Sequence, residues 1–221
     1  MRIDIGVSDI SAILGRNRFT SRETVMTKMV KKLKGLPLLD SRATKIGEDI
    51  GIDLSKPEEK KVLEAPSKIT KLDYSCQKYA SGLVRRATGI LSESKILEQY
   101  CNTSKRKATA YDKSKSIHLV GNCYLTGRPD ARSGNILTEI KARQNTYKGV
   151  PESDRLQVIG YCGLMKLKRA QLVEAIATLE EKEISCSPVR THRIDFNPDE
   201  WQNIILPGLK SFCEELISKT C

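Results

Sequence analysis

Two acids and a lysine stand out by type and spacing. Gly127-Arg128-Pro129-Asp130 is followed, after eight intervening residues, by Glu139-Ile140-Lys141. Between them, Ser133-Gly134-Asn135 offers residues that accept the positive φ a tight hairpin needs, so 117–132 and 136–143 read as β-runs on either side of a turn. Side chains alternate along a strand. Leu137, Glu139 and Lys141 therefore share one face, Ile136, Thr138 and Ile140 the other, and the antiparallel partner brings Asp130 beside the first set. Two converging carboxylates make a hard oxygen site for Mg²⁺ or Mn²⁺, and an adjacent ammonium can hold or activate a water. Phosphodiester hydrolysis requires that combination.

Glu-x-Lys alone carries no weight, because it occurs five times, starting at Glu58, Glu59, Glu93, Glu139 and Glu180. The copy at Glu139 differs in context. It lies in a β-pattern, follows a Pro-Asp across a turn, and precedes a helix on which Gln157 and Tyr161, four residues apart, share a face that can reach toward a metal or a substrate phosphate. A surface hairpin with an ordinary Glu-Lys pair is the alternative.

The elements that must position these residues are mostly readable. Ser8 is expected to cap a short helix ending at Gly15, and Ser21 a second with Val25, Met26, Met29, Val30 and Leu33 on its apolar stripe, stopped by Gly35. A third helix covers 42–50, and 56–71, densely charged with two prolines, reads as a surface loop. Leu72, Cys76, Tyr79, Leu83, Val84 and Ala87 mark another helix, and Ser92 is expected to start one more. A basic linker over 104–115 leads into the β-runs. A helix over 153–168 and strands in 171–178 and 189–196 follow. The last helix has Asn197 as cap, Pro198 as first residue, and Pro207 as a kink or break. This order predicts an α/β fold with a mixed sheet flanked by helices. It reads as one domain over 1–221, with a helical, basic part over 1–103 and a catalytic αβ core over 104–221.

Charge points to a polyanionic partner: 38 Lys and Arg against 27 Asp and Glu leave +11 over 221 residues. Residues 1–110 hold 22 basic and 13 acidic side chains, and 111–221 hold 16 and 14, which makes the first half the expected footprint. A basic surface serving solubility alone is the competing explanation. Seven cysteines, no two closer than eight residues, exclude a disulfide framework, a Cys-based zinc site and an iron–sulfur motif. His118 and His192 are isolated. With no apolar run of about 18 residues and no apolar leader in MRIDIGVSD, the expectation is an intracellular protein, cytoplasmic or nuclear, with no membrane association.

Pro129, Asp130, Glu139 and Lys141 resemble the signature of the PD-(D/E)xK nuclease superfamily, and the chain is most similar within it to the YqaJ viral recombinase and lambda-exonuclease (alkaline exonuclease) group. Three further stretches carry the resemblance: Gly6 to Gly15, Asp154 to Tyr161 around Gln157, and Arg193 to Leu216 with its strand, Trp201 and amphipathic helix. The resemblance implies a restriction-endonuclease-like core in which Asp130, Glu139 and the carbonyl of Ile140 hold the metal, Lys141 assists the attacking water and Gln157 orients it. The group also has a helical glutamate in a Gly-x-x-x-Glu pattern. At Gly47 that pattern departs, since Glu48 and Asp49 follow at once and Gly51 stands four residues on. Glu48 is the candidate there, with a surface acid as the alternative. A 5′-phosphate-binding arginine, expected about seven residues before Ser8, falls on Met1, so Arg2, Arg16 and Arg18 are the substitutes, with Ser8 and Tyr161 as further DNA contacts. The implied function is a metal-dependent DNA exonuclease, virus-encoded, that resects duplex ends in recombination or repair with Mg²⁺ or Mn²⁺. A single-strand-annealing protein and a second copy of the chain are the implied associates. The alternatives are an endonuclease with the same site and a non-catalytic nucleic-acid-binding module.

Overall fold

The computed structural model describes residues 2–36 and 41–220, with side chains from residue 45 onward in the second stretch. The Gly134-Asn135 turn joins β5 (Ala131–Ser133) to β6 (Ile136–Arg143) in antiparallel register, with Ser133 opposite Ile136 and Ala131 opposite Thr138. Gly134 alone takes positive φ, at 56°, the type II′ arrangement with glycine first. From β6 the chain crosses through α6 (Glu152–Met165) to β7 (Arg169–Leu179), which lies parallel to β6. A parallel neighbour needs such a crossover.

Among the described residues there are two sheets. The larger has the order β2 (Thr109–Ala110), β5, β6, β7, β8 (Ile184–Cys186), and β9 (Arg190–Asp195) pairs with the first half of β7. The smaller has the order β1 (Ile3–Gly6), β4 (Cys123–Gly127), β3 (Lys115–Val120), with β1 parallel to β4. The expected β-run over 117–132 is therefore three strands. It reverses at Gly121-Asn122, and Arg128-Pro129-Asp130 carries the chain from the smaller sheet to the larger. The mixed α/β class holds, but the N-terminal part is not purely helical, because four residues of β1 complete the smaller sheet.

Ser21 caps α2 (Arg22–Leu33) by accepting from Thr24 N–H, as its spacing predicts. Ser8 caps nothing: it lies inside a 3₁₀ turn (Val7–Asp9) that leads into α1 (Ile10–Ile13), and neither cap makes a side-chain bond. α3 (Ser41–Ile50) runs close to expectation. The stretch read as a loop contains α4 (Glu59–Ile69), whose Val62 and Ala65 are buried in one apolar cluster with Ala80, Leu83 and Val84. Its lysines and Pro66 occupy the solvent side, which is why composition hid it. α5 (Tyr74–Ser104) is one helix of 31 residues, and Ser92 does not restart it. The Ser92 hydroxyl is fully buried and donates to Thr88 O inside the helix. At the C-terminal end, α7 (Pro198–Glu200) passes through a π turn (Trp201–Ile205) into α8 (Leu206–Ser218). The wider turn lies just before Pro207, whose ring would clash with a regular preceding turn.

The N-terminal turn is wedged against α6. A Cβ at Gly160 would stand 2.4 Å from Ile10 Cδ1 and 2.8 Å from Val7 Cγ1, so only glycine permits this approach. Among the described residues no helix is long and apolar enough to cross a membrane.

Candidate active site

β5 begins pairing with β6 only at Ala131, so the Ile140 N–H farther along β6 has no β5 partner. Asp130 supplies one: its Oδ2 accepts from Ile140 N at 2.7 Å. The Asp130 backbone is itself pinned, its carbonyl accepting from Tyr111 N at 2.9 Å. The fork where β5 leaves β6 thus holds a carboxylate in place of a strand.

Glu139, 2% exposed, meets Lys141 and Gln157 beside that fork. Lys141 Nζ donates to Glu139 Oε1 and to Gln157 Oε1, each at 2.9 Å, and Gln157 Nε2 donates to Glu139 Oε1 at 2.8 Å and to Tyr161 OH at 3.2 Å. The ammonium can only donate and the carboxylate only accept, which fixes the Gln157 amide in this orientation. Burial pushes Glu139 up to about 8, and the nearby Asp130 charge adds to it, although Lys141 opposes the rise. Asp130 is also raised by burial, against the pull of the Ile140 N–H and Lys141. Burial disfavours the Lys141 charge, but Glu139, Asp154 and Asp130 outweigh it and hold the ammonium above its ordinary range. Tyr161 is raised by burial and by Glu139.

The structure brings Asp130, Glu139, Ile140, Lys141, Gln157 and Tyr161 together. It does not bring Glu48, which is exposed on α3 and has no described contact with them. The helical carboxylate in the cleft is Glu93 on α5. It lines a cavity of about 360 Å³ with Asp130, Arg128 and Ile140, and burial followed by the Asp130 charge lifts it to about 7. Its signal was present: Gly89-Ile90-Leu91-Ser92-Glu93 satisfies the Gly-x-x-x-Glu spacing that Gly47 fails. A helix start at Ser92 would split that spacing between two elements, whereas α5 runs through it unbroken.

Other residues hold the frame. Arg143, at the end of β6, donates to Glu174 Oε2 and Asp154 Oδ2, both at 2.8 Å, and the fully buried Glu174 accepts from Lys148 N, Gly149 N and His192. Burial would raise Glu174, but these donors hold it below its ordinary range. The network ties the loop between β6 and α6 to β7. His118 bonds Gly121 O. Of the expected phosphate-binding arginines, Arg2 pairs with Asp4 at 2.8 Å, and Arg16 pairs with Glu152 at 3.0 Å and Glu200 at 3.6 Å. Arg18 stacks over the exposed Phe19 ring. Ser8 is exposed on the turn after Val7, whose side chain abuts Gly127 and Gly160 near Tyr161.

The donor set fits a hard divalent cation. Glu139 Oε2 is buried with no hydrogen-bond partner, an arrangement that costs free energy unless a cation or proton satisfies it. Burial is the main reason that Glu139, Asp130 and Glu93 are all raised, and Lys141 only partly offsets it. Among the described residues no group of three or more His, Cys, Asp or Glu side chains is placed to hold a metal ion by itself.

No family model matches the sequence, and no curated protein matches it. Solved structures do. The alkaline exonuclease LHK-Exo of Laribacter hongkongensis is 13% identical, with a TM-score of 0.59 over 99% of this chain and 91% of that one. LHK-Exo in complex with dAMP is 14% identical, with a TM-score of 0.58 over 98% and 89%. A phage-related exonuclease from Haemophilus somnus 129PT is 11% identical, with a TM-score of 0.58 over 100% and 98%. This chain has the fold of the alkaline and phage-related exonucleases, as its resemblance to the lambda-exonuclease group implied.

Proposed function

We propose that the chain is a metal-dependent deoxyribonuclease that hydrolyses DNA from duplex ends, in the service of recombination or repair. The observation that carries this is the cluster of Asp130, Glu139, Lys141 and Gln157 around an unsatisfied buried carboxylate oxygen, on an exonuclease fold. Asp130, Glu139 and the Ile140 carbonyl would hold Mg²⁺ or Mn²⁺, with Glu93 as a further carboxylate in place of Glu48. The ion would supply Lewis-acid charge for the phosphate oxygens and the attacking water. Lys141 is held above its ordinary range by its acidic neighbours, so its part would be to donate a hydrogen bond to the attacking oxygen and stabilise developing charge. Gln157 keeps the ammonium aimed, and Tyr161 holds Gln157. Ser8 and Arg18 are the candidates for a terminal 5′-phosphate, because Arg2 and Arg16 are already engaged by carboxylates.

The test compares end-labelled linear duplex with a covalently closed circle, each with Mg²⁺ and with EDTA. The linear substrate should be degraded from its ends only when metal is present, and the circle should survive. Asp130→Asn, Glu139→Gln and Lys141→Ala should each lower the rate about a hundredfold or more. Full activity in any one of them overturns the site, and rapid internal cleavage of the circle moves the protein to the endonuclease reading.

A further inference from the structure

Tyr74, Lys78, Gly82, Arg85, Gly89 and Glu93 follow one another along α5 at three- and four-residue intervals, so they form one stripe of the helix. The far end is open to water, with Tyr74 88% exposed, and the near end is Glu93 in the cleft with Asp130. Between the ends lies a groove of about 720 Å³, lined by Lys78, Gly82, Arg85, Arg86 and Gly89 on α5 and by Ala142 on β6. Ala142 is two residues past Ile140, which lines the catalytic cleft, and Gly89 is one turn before Glu93. Groove and cleft are thus neighbours along both elements.

Charge and shape agree on an occupant. Among the described residues no ion pair to a carboxylate engages Lys78, Arg85 or Arg86, whereas Lys95, Arg143 and Arg155 are all paired. Small residues keep the floor low: the Arg85 guanidinium lies over Gly82, and a Cβ at Gly89 would only just touch Ala142. A row of cations without carboxylate partners, ending in an exposed aromatic ring, suits a single strand, whose phosphates meet the cations and whose unpaired bases offer faces for stacking. An intact duplex presents no such face along its side. Lys78 to Glu93 spans about 22 Å at ~1.5 Å per helical residue, enough for a strand of several nucleotides.

We propose that this stripe is a track for single-stranded DNA running to the catalytic cleft, with phosphates on Lys78, Arg85 and Arg86 and a base on Tyr74. Its direction toward a reacting phosphate rests on the nuclease reading, but its binding does not. The test is therefore made in EDTA, by fluorescence anisotropy of labelled oligo(dT) of 4 and 12 nucleotides and of a blunt 12-base-pair hairpin. Relative to wild type, Arg85→Ala/Arg86→Ala should weaken 12-mer binding at least tenfold and reduce the slope of log affinity against log salt by about 1.4, at ~0.7 per lost phosphate contact. Tyr74→Ala should weaken the 12-mer about tenfold and leave the 4-mer and the hairpin within twofold. Arg85→Lys/Arg86→Lys should recover most of the salt slope, which separates lost charge from a misfolded helix. Unchanged 12-mer affinity and slope in the alanine double variant overturn the track, as does an equal loss on the hairpin with Tyr74→Ala. Track binding in a protein that leaves linear DNA intact with Mg²⁺ overturns the nuclease reading instead.

Discussion

Glu139 is almost closed to water, yet one of its oxygens has no partner, and this governs how the site responds to pH. Glu139 near 8 and Glu93 near 7 keep protons in the folded chain that the unfolded chain releases at ordinary carboxyl pKa values. Between about pH 4.5 and 8 the native state therefore binds more protons, so the stability of the metal-free protein should fall as pH rises through that window. Thermal melts in EDTA from pH 5 to 9 should show the decline, and Glu139→Gln should flatten it. A melting temperature that rises across the same range contradicts the assignment. Mg²⁺ should reverse the decline, with release of protons measurable in weakly buffered solution. Glu93 and Glu48 separate by the same logic. Glu93→Gln should lower nuclease activity at least about tenfold, and Glu48→Gln should stay within about twofold, since only Glu93 stands in the cleft with Asp130. Equal effects would return the helical carboxylate to α3.

What the sequence makes legible at the scale of elements is whatever rests on local chemistry. The Gly134 turn and the alternation through Glu139 and Lys141 place three of the site residues without tertiary information, and Asn197, Pro198 and Ser21 mark helix starts for the same reason. Elements whose periodicity is interrupted or very short stay hidden. Pro66 and the lysines of α4 mask the buried Val62 and Ala65, and Ser92 imitates a cap although it is inside a continuous helix. The continuity of α5 through Ser92 matters most, because it carries Glu93 to the cleft beside Asp130. β1, β2 and β8, four residues or fewer, exist only through their partners. The contact of α6 with the N-terminal turn is equally invisible in one dimension, and it predicts a measurable penalty. Gly160→Ala would force a methyl into Ile10 and Val7, and overpacking of that kind costs about 1–3 kcal/mol. At ~2–4 °C per kcal/mol for a chain of this size, the melting temperature should fall by roughly 2–12 °C. A variant that melts with wild type would mean that the turn moves freely away from α6.

Over the whole molecule, elements from the helical N-terminal part and from the αβ core share sheets and buried clusters. β1, from residues 3–6, is an edge of the sheet that contains β4, and α5 lies on β6 and β7, where Ile96 and Tyr100 share a buried cluster with Ile140, Val173 and Ala175. Glu93 reaches the cleft from the same helix. A segment covering 105–221 alone would expose both of these faces and leave Cys123 and Leu125, fully buried in the intact chain, on an open strand. Two units with a boundary near 104 would each own a core and need few contacts across it, which is the opposite arrangement. The full chain should therefore unfold in urea as one transition, with the fluorescence of buried Trp201 and the far-ultraviolet dichroism of the helices changing together. The 105–221 segment, expressed alone, should give no cooperative transition by either signal. If instead it melts cooperatively with Trp201 in a native-like environment, the catalytic core is a domain in its own right, and α5 is an accessory that delivers Glu93 and the basic groove to a site already formed.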